Sequence, residues 1–497
     1  MIHISTSFAL LVVAIIILVC IAGSRLSGRL GVPTLFIFIM LGMLFGSDGI
    51  FKIPFGNFAL AEQVCSVALI FIMFYGGFGT RWSEAKPVAG RSILLSSAGV
   101  VLTAFLTGLF CHLVLKMALM EGMLLGAVLG STDAASVFSI LRSRKLNLKY
   151  GTASMLELES GSNDPFAYMM TVILLSAMTG SVSGGSAVLL LIRQLAFGLL
   201  TGAAVAWLVT WLLKRYAFYG EGFDTIFVFA AAIISYALAS QIGGNGYLSV
   251  YLTGIILGNQ ELKNQKALVG FFDAFTGMMQ MLLFFLLGLL AFPSQMPSIV
   301  LPAIAIALFL TFVARPAAVG LLLAPSKPPI GQYLVISWAG LRGAASIVFA
   351  IMATLSEGYM KYDIFHIVFC VVLFSIIFQG SLLPKVAEKC DMIDNSTDVM
   401  RTFSDYTGDM QIQFVQLPIG DNHPWKNRKI CEIEMLPGML ITVIRRGAQT
   451  IVPKGQTVIL EGDTVVLGAE GFTDSQGILL KEILMTPDHR WCGKKIA

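Results

Sequence analysis

Residues 130–138 read Gly-Ser-Thr-Asp-Ala-Ala-Ser-Val-Phe, and residues 340–349 read Gly-Leu-Arg-Gly-Ala-Ala-Ser-Ile-Val-Phe. The two Ala-Ala-Ser triplets align at an offset of 210 residues. Both lie inside long apolar stretches. At a similar offset, Gly42 and Gly46 match Gly254 and Gly258. A repeat of this length makes the chain two related halves, and the fold follows from how many apolar stretches each half contains.

A membrane-spanning helix needs about 20 mostly apolar residues. That rule finds thirteen candidates, near 5–22, 31–48, 58–78, 90–115, 121–141, 152–177, 187–213, 224–241, 246–259, 270–292, 299–323, 330–355 and 362–385. The ninth is short. Helices 1–6 then pair with helices 8–13, and helix 7 is the unpaired linker. One extra span inverts the second half in the membrane. The expected fold is an all-α polytopic membrane protein of two inverted six-helix repeats, with helices 5 and 12 interrupted where they cross.

The composition agrees. Of 497 residues, 56% are hydrophobic and 12% charged, and mean hydropathy is +0.82. A soluble enzyme, a disordered chain and a nucleic-acid binder are all excluded by that apolar excess. The net charge of +4 is too small to suggest a polyanionic partner. Residues 386–497 hold 27 of the 62 charged side chains, which marks a soluble tail. We therefore expect a membrane domain over 1–385, a linker over 386–402 and a tail domain over 403–497.

Lys and Arg concentrate in cytoplasmic loops. With the N-terminus outside, the inside loops carry about fifteen basic residues, among them Arg25, Arg81, Arg142, Lys149, Lys214 and Lys266, against about four outside. An odd helix count then places the tail in the cytoplasm. The N-terminal MIHISTS lacks the basic region of a cleaved signal, so the first apolar run is expected to stay as a helix. The seven cysteines are scattered singly, as reduced thiols would be.

Inverted repeats with interrupted helices are a transporter signature, and the site lies near the midplane. Charges placed there are costly and therefore informative. Asp133 falls in helix 5; Glu157, Glu159 and Asp164 in helix 6; Arg315 in helix 11; Arg342 in helix 12. Ser160 and Asp164, four apart, share a helical face. Together with Asp133 and a main-chain carbonyl freed at Thr132 they could form an oxygen cage, which suits a hard monovalent cation. Glu159 is expected to pair with Arg342. Glu157 and Arg315 are possible secondary residues: a second pair, or groups facing a funnel, with Arg315 able to neutralise an interrupted backbone end.

Proton and cation competing for Asp164, with Asp133 assisting, would give exchange by alternating access. Asn163 beside Asp164 cannot titrate, so one proton per cation is expected. No TVGYG filter argues for a channel, and the dispersed histidines argue against a metalloprotease; His112 and His366 are read as structural. A non-transporting cation or pH sensor is the remaining alternative, separable by flux across sealed vesicles.

Thr132-Asp133, Glu159-Ser160-Gly161-Ser162-Asn163-Asp164 and Gly340-Leu341-Arg342-Gly343 together resemble the bacterial sodium (or potassium)/proton antiporters, NhaP-type branch, over about residues 1–390. The resemblance implies an antiporter of the bacterial plasma membrane that serves ion and pH homeostasis, and no enzyme. It implies cation contacts from Asp133, Ser160, Asp164 and the Thr132 main chain, with Asn163, Glu159 and Arg342 supporting them. It also implies a homodimer, with helices 1–3 and 8–10 as scaffold and helices 4–6 and 11–13 as the moving core. The Asn-Asp pair at 163–164 matches the electroneutral members. Ser131 is left unassigned.

From Ile430 a strand pattern runs through Ile444-Arg445-Arg446-Gly447 and Ile451-Val452-Pro453 to Gly462-Asp463-Thr464-Val465-Val466-Leu467-Gly468. Alternation and glycines at 447, 455 and 462 predict short hairpins. This tail resembles the TrkA-C (RCK-C) regulatory domain, which implies dimerisation and a small regulator. A cyclic dinucleotide is the expected class; NAD is not, since no GxGxxG follows a strand. Because such domains accompany potassium transport, the resemblance tilts the substrate toward K+, with Na+ as the alternative through the same site. His423-to-Ile430 (HPWKNRKI) recurs as HRWCGKKI at 489–496. That likeness suggests either a truncated second module or a last strand that completes a partner's domain.

Overall fold

The computed structural model describes residues 6–394 and 412–470, apart from positions 31–32, 144–145, 182–183, 216–221, 261, 263–264, 357, 359, 422, 434, 436–438 and 448. The expected recurrence at 489–496, and residues 395–402 of the expected linker, lie outside the described residues.

A helix, whole or broken, occupies each of the thirteen apolar stretches. They are α1 (Thr6–Leu30), α2 (Thr34–Phe45), α3 (Phe58–Gly79), α4 (Ala89–Leu113), α5a (Leu119–Val128) with α5b (Ala134–Ser143), α6 (Thr152–Met178), α7 (Gly184–Arg215), α8 (Phe223–Gln241), α9 (Gly246–Gly258), α10 (Gln265–Leu290), α11 (Pro293–Ser326), α12a (Ile330–Trp338) with α12b (Ala344–Leu355), and α13 (Ile364–Lys389). Seven of these, among the described residues, are long and apolar enough to cross a membrane on their own. Of the others, α2 and α9 are short, helices 5 and 12 are broken, and α6 carries three acids. Together they make a multi-pass membrane protein. α1 and α7 leave large apolar side chains outward, such as Leu18 and Trp207, as lipid-facing helices do.

Local signals set the boundaries. Asn57, Asn245 and Asp363 each accept the backbone N–H three residues on, capping α3, α9 and α13. α4, α11 and α13 each contain one π-helical turn, at Leu95–Gly99, Leu310–Ala314 and Ser375–Gly380. Such turns widen a helix locally and recur at functional sites.

The repeat is visible in packing. α2 crosses α10 where a Cβ on Gly42 would sit 2.1 Å from the Phe285 carbonyl. α3 crosses α9 where a Cβ on Gly254 would sit 2.3 Å from the Phe74 carbonyl. In the inverted pairing, helix 2 corresponds to 9 and helix 3 to 10, so these are the same contact made twice. The small residues let the backbones touch.

α13 continues past residue 385 to Lys389. The strand-like stretch after it is anchored: Leu148 bridges Ile393, the Lys149 N–H donates to the Met392 carbonyl at 2.9 Å, and Lys149 Nζ lies 2.9 Å from Asp391.

The chain divides into two compact units, Met1–Asp405 and Tyr406–Ala497. In the second, β1 (Ile412–Pro418), β2 (Met439–Arg446), β3 (Gln449–Ile451) and β4 (Asp463–Glu470) form an antiparallel sheet of order β1-β4-β2-β3. Gly447 and Gly462 have φ of 55° and 81°, the left-handed backbone that their turns need. Ile430 opens a single 3-10 turn, Ile430–Glu432, instead of a strand. Asp463 is buried and takes two hydrogen bonds from the Arg446 guanidinium, at 2.8 Å each, and one from the Leu460 N–H.

Candidate functional site

Gly130 to Asp133 break helix 5, and Gly340 to Gly343 break helix 12. The breaks cross: the Asp133 N–H donates to the Leu341 carbonyl at 2.7 Å. Inside a membrane every freed backbone group needs a partner, and this crossing supplies them from nearby side chains. The Thr132 carbonyl accepts from Ser160 Oγ at 2.7 Å, and the Thr132 N–H donates to Asn163 Oδ1 at 3.3 Å. The Ser131 carbonyl accepts from Arg342 Nη1 at 3.1 Å. The Arg342 N–H donates to Ser375 Oγ at 3.0 Å, in the π-turn of α13.

Four half-helix ends therefore meet. Asp133 caps α5b, taking the Ser136 N–H at 3.2 Å and the Ser136 hydroxyl at 2.5 Å. It also lies against Gly343, the residue before α12b, where an added Cβ would be 2.4 Å from the Asp133 Cβ. A carboxylate thus stands at the two N-terminal ends. The arginines stand toward the two C-terminal ends: Arg342 on the Ser131 carbonyl after α5a, and Arg315 beside Gly340 after α12a. That is the arrangement helix dipoles favour.

α6 brings the remaining groups. Pro165 lies inside it and contributes no backbone donor; the Asn245 amide donates to the Pro165 carbonyl at 2.9 Å. One residue earlier, Asp164 is buried, and Ser131 Oγ donates to its carboxylate. The Asn163 amide donates to Thr132 Oγ1 at 2.5 Å. Ser131, Thr132, Asp133, Ser160 and Asp164 all line one cavity of about 440 Å³. Hydroxyls that donate to a carboxylate or carbonyl keep lone pairs free, so this wall can still present oxygen to a cation.

The structure corrects one expected pairing. Glu159 is bonded ionically to Arg315, at 2.6 Å, while Arg342 is spent on the Ser131 carbonyl. All three are buried. The reason is the π-turn of α11, which ends at Ala314 and sets the next residue, Arg315, against the helix-12 break. Arg315 is thus paired with Glu159, and Glu157 lines the cavity.

Two residues missed by sequence reasoning belong here. Ser131 was visible as part of the unwound stretch, but only the fold shows its hydroxyl on Asp164. Asp273 of α10 lines the same cavity and accepts the Tyr75 hydroxyl at 3.0 Å. Its signal was an acid inside an apolar helix.

Comparison with known proteins bears on what such a cavity serves. The family described as sodium/hydrogen exchanger, transmembrane, matches residues 14–389, and the TrkA-C domain matches residues 414–470. The K(+)/H(+) antiporter NhaP of Alkalimonas amylolytica is 36% identical over 382 residues, 77% of this chain and 66% of that protein. The K(+)/H(+) antiporter NhaP2 of Shewanella oneidensis is 36% identical over 383 residues, 76% of this chain and 66% of that protein. The matched region thus spans just under two thirds of these relatives' length. Among solved structures, the sodium proton antiporter MjNhaP1 of Methanocaldococcus jannaschii at pH 8 superposes with a TM-score of 0.68 and 23% identity, over 77% of this chain and 99% of that one. That likeness is one of fold.

Proposed function

The chain belongs to the transmembrane sodium/hydrogen exchanger family and carries a TrkA-C domain, and from that premise we propose that it exchanges K+ for H+ across the bacterial plasma membrane, one for one. The observation that carries this reading is Asp164: a buried carboxylate at a cavity wall, hydrogen-bonded by Ser131 and flanked by Asp133, Ser160 and Thr132. A cation entering the cavity takes oxygen from Asp164, Ser160, Asp133 and the Thr132 main chain. A proton takes the same carboxylate. Each displaces the other, and either one neutralises the site enough for it to cross. The empty, charged site does not cross, because moving it costs the desolvation of a bare carboxylate.

Asn163 supports the one-to-one ratio. Its amide is engaged at both ends by Thr132 and carries no charge. Preference for K+ rests on the names of the two antiporter relatives; Na+ through the same ligands is the second reading, favoured by the solved neighbour. In either case α4–α6 and α11–α13 move as a core against α1–α3 and α8–α10. The cavity lies between these groups, with Asp273, Met73 and Gly76 on the scaffold side. With the N-terminus outside and the tail in the cytoplasm, the cavity opens inward. The scaffold helices and the tail join two copies, and a small regulator, a cyclic dinucleotide by class, acts on the tail.

Proton flux in sealed proteoliposomes tests this. K+ should drive flux that ignores a clamped membrane potential. Flux driven by Na+ alone would transfer the site to the second reading. No flux with either ion, in folded protein, would overturn exchange.

A further inference from the structure

The cavity stops at Asp164. On α6 it takes Glu157, Ser160, Gly161 and Asp164 but nothing beyond. On α3 it takes residues from Leu69 to Gly79 but nothing nearer the start of the helix. Past that point aromatic rings fill the space between the two groups of helices. Tyr168 lies four residues after Asp164, on the same face of α6. Its ring meets Tyr247 of α9 edge-on at 5.1 Å, and Phe349 of α12b at 5.8 Å. Tyr247 meets Phe349 at 6.4 Å and Tyr236 of α8 at 5.1 Å. Tyr247 and Phe349 are buried.

The polar ends of these rings lie together. Ser66 of α3 and Tyr236 lie beside the Tyr247 hydroxyl. Ser66 Oγ in turn donates to Glu62 Oε1 at 2.9 Å. The chain Glu62–Ser66–Tyr247–Tyr236 therefore runs through three scaffold helices, while Tyr168 and Phe349 belong to the core. Resting on the exchange reading above, we propose that Tyr168, Tyr247 and Phe349 form the barrier that seals the site from the side opposite the cavity. Tyr247 is its positioning residue, set between Ser66 and Tyr236.

Two consequences separate this role from packing alone. Removing the Tyr247 ring opens a path past the site while the cavity is open on the other side. Removing only the hydroxyl frees the latch and shifts the population away from the cavity-open state. A state that is populated less binds with proportionally weaker apparent affinity.

The test uses the full chain in proteoliposomes of known orientation. Tyr247→Ala should add cation flux that follows the membrane potential, about tenfold above the wild-type leak. Tyr247→Phe, which keeps the ring, should raise the KM for cation at the cavity face and lower it at the opposite face, each by about threefold. Folded Tyr247→Ala without potential-driven flux would overturn the barrier. Should that variant fail to fold, Tyr247→Phe decides alone: values of KM that stay put, or move together, overturn the proposal. If wild-type protein shows no exchange, the functional reading fails instead, and the two failures are distinguishable.

Discussion

The Asp133 amide donates to the Leu341 carbonyl at 2.7 Å, and through that one bond the two broken helices hold each other at their crossing. Gly343 completes the contact. It has extended backbone, φ −132° and ψ −160°, and leaves no room for a side chain beside Asp133. Gly343→Ala should therefore push the two breaks apart. We expect a loss of about 1–3 kcal/mol in stability, with exchange falling more than expression, measured by melting of purified protein alongside vesicle flux.

Glu159 and Arg315 sit 2.6 Å apart with both side chains buried. Glu159→Gln would leave Arg315 without its countercharge. A cost of about 3–5 kcal/mol is expected for breaking such a pair. A second change, Arg315→Met, should recover part of it. Equal melting temperatures for the single and double variants would argue that the pair is not a unit.

Ser131 donates to Asp164 from the unwound stretch of helix 5. Ser131→Ala keeps the backbone break and removes the hydroxyl that holds Asp164 in the proposed cage. The expected effect is a KM for cation about tenfold higher, the equivalent of one good hydrogen bond, with the melting temperature little changed. Unaltered KM would remove Ser131 from the site.

In the tail, the Arg446 guanidinium beside Asp463 holds its carboxyl below the ordinary carboxylate range. A lowered carboxylate contributes stability above its unfolded value, near pH 4, and loses it as pH falls through the lower folded value. The tail should thus weaken only under strong acid. Asp463→Asn should weaken it at neutral pH by about 2 kcal/mol and flatten that acid dependence, read by limited proteolysis of the full chain. Exchange should persist, because Asp463 lies in the second compact unit.

Much of this was legible in the residues because lipid makes sequence explicit. An apolar run must be a helix, a charge within it must have a partner, and Gly-x-x-Gly with flanking small residues marks a break. The positions of Asp133, Ser160 and Asp164 followed from those constraints. Three things did not. The choice of Arg315 over Arg342 for Glu159 depends on a π-turn, which shifts register by one residue without a signature in the sequence. The Asp133 cap on α5b depends on where helix 5 restarts. Asp273 was visible as an acid in an apolar helix, but that it faces the same cavity depends on how α10 packs beside α3.

The most direct measurement is cation-driven proton flux in proteoliposomes holding Asp164→Asn beside wild type, with folding checked by gel filtration and melting. Asparagine keeps the shape and the oxygen but neither titrates nor carries charge. The account predicts a folded protein with flux at background for both K+ and Na+. Robust exchange by folded Asp164→Asn would contradict it.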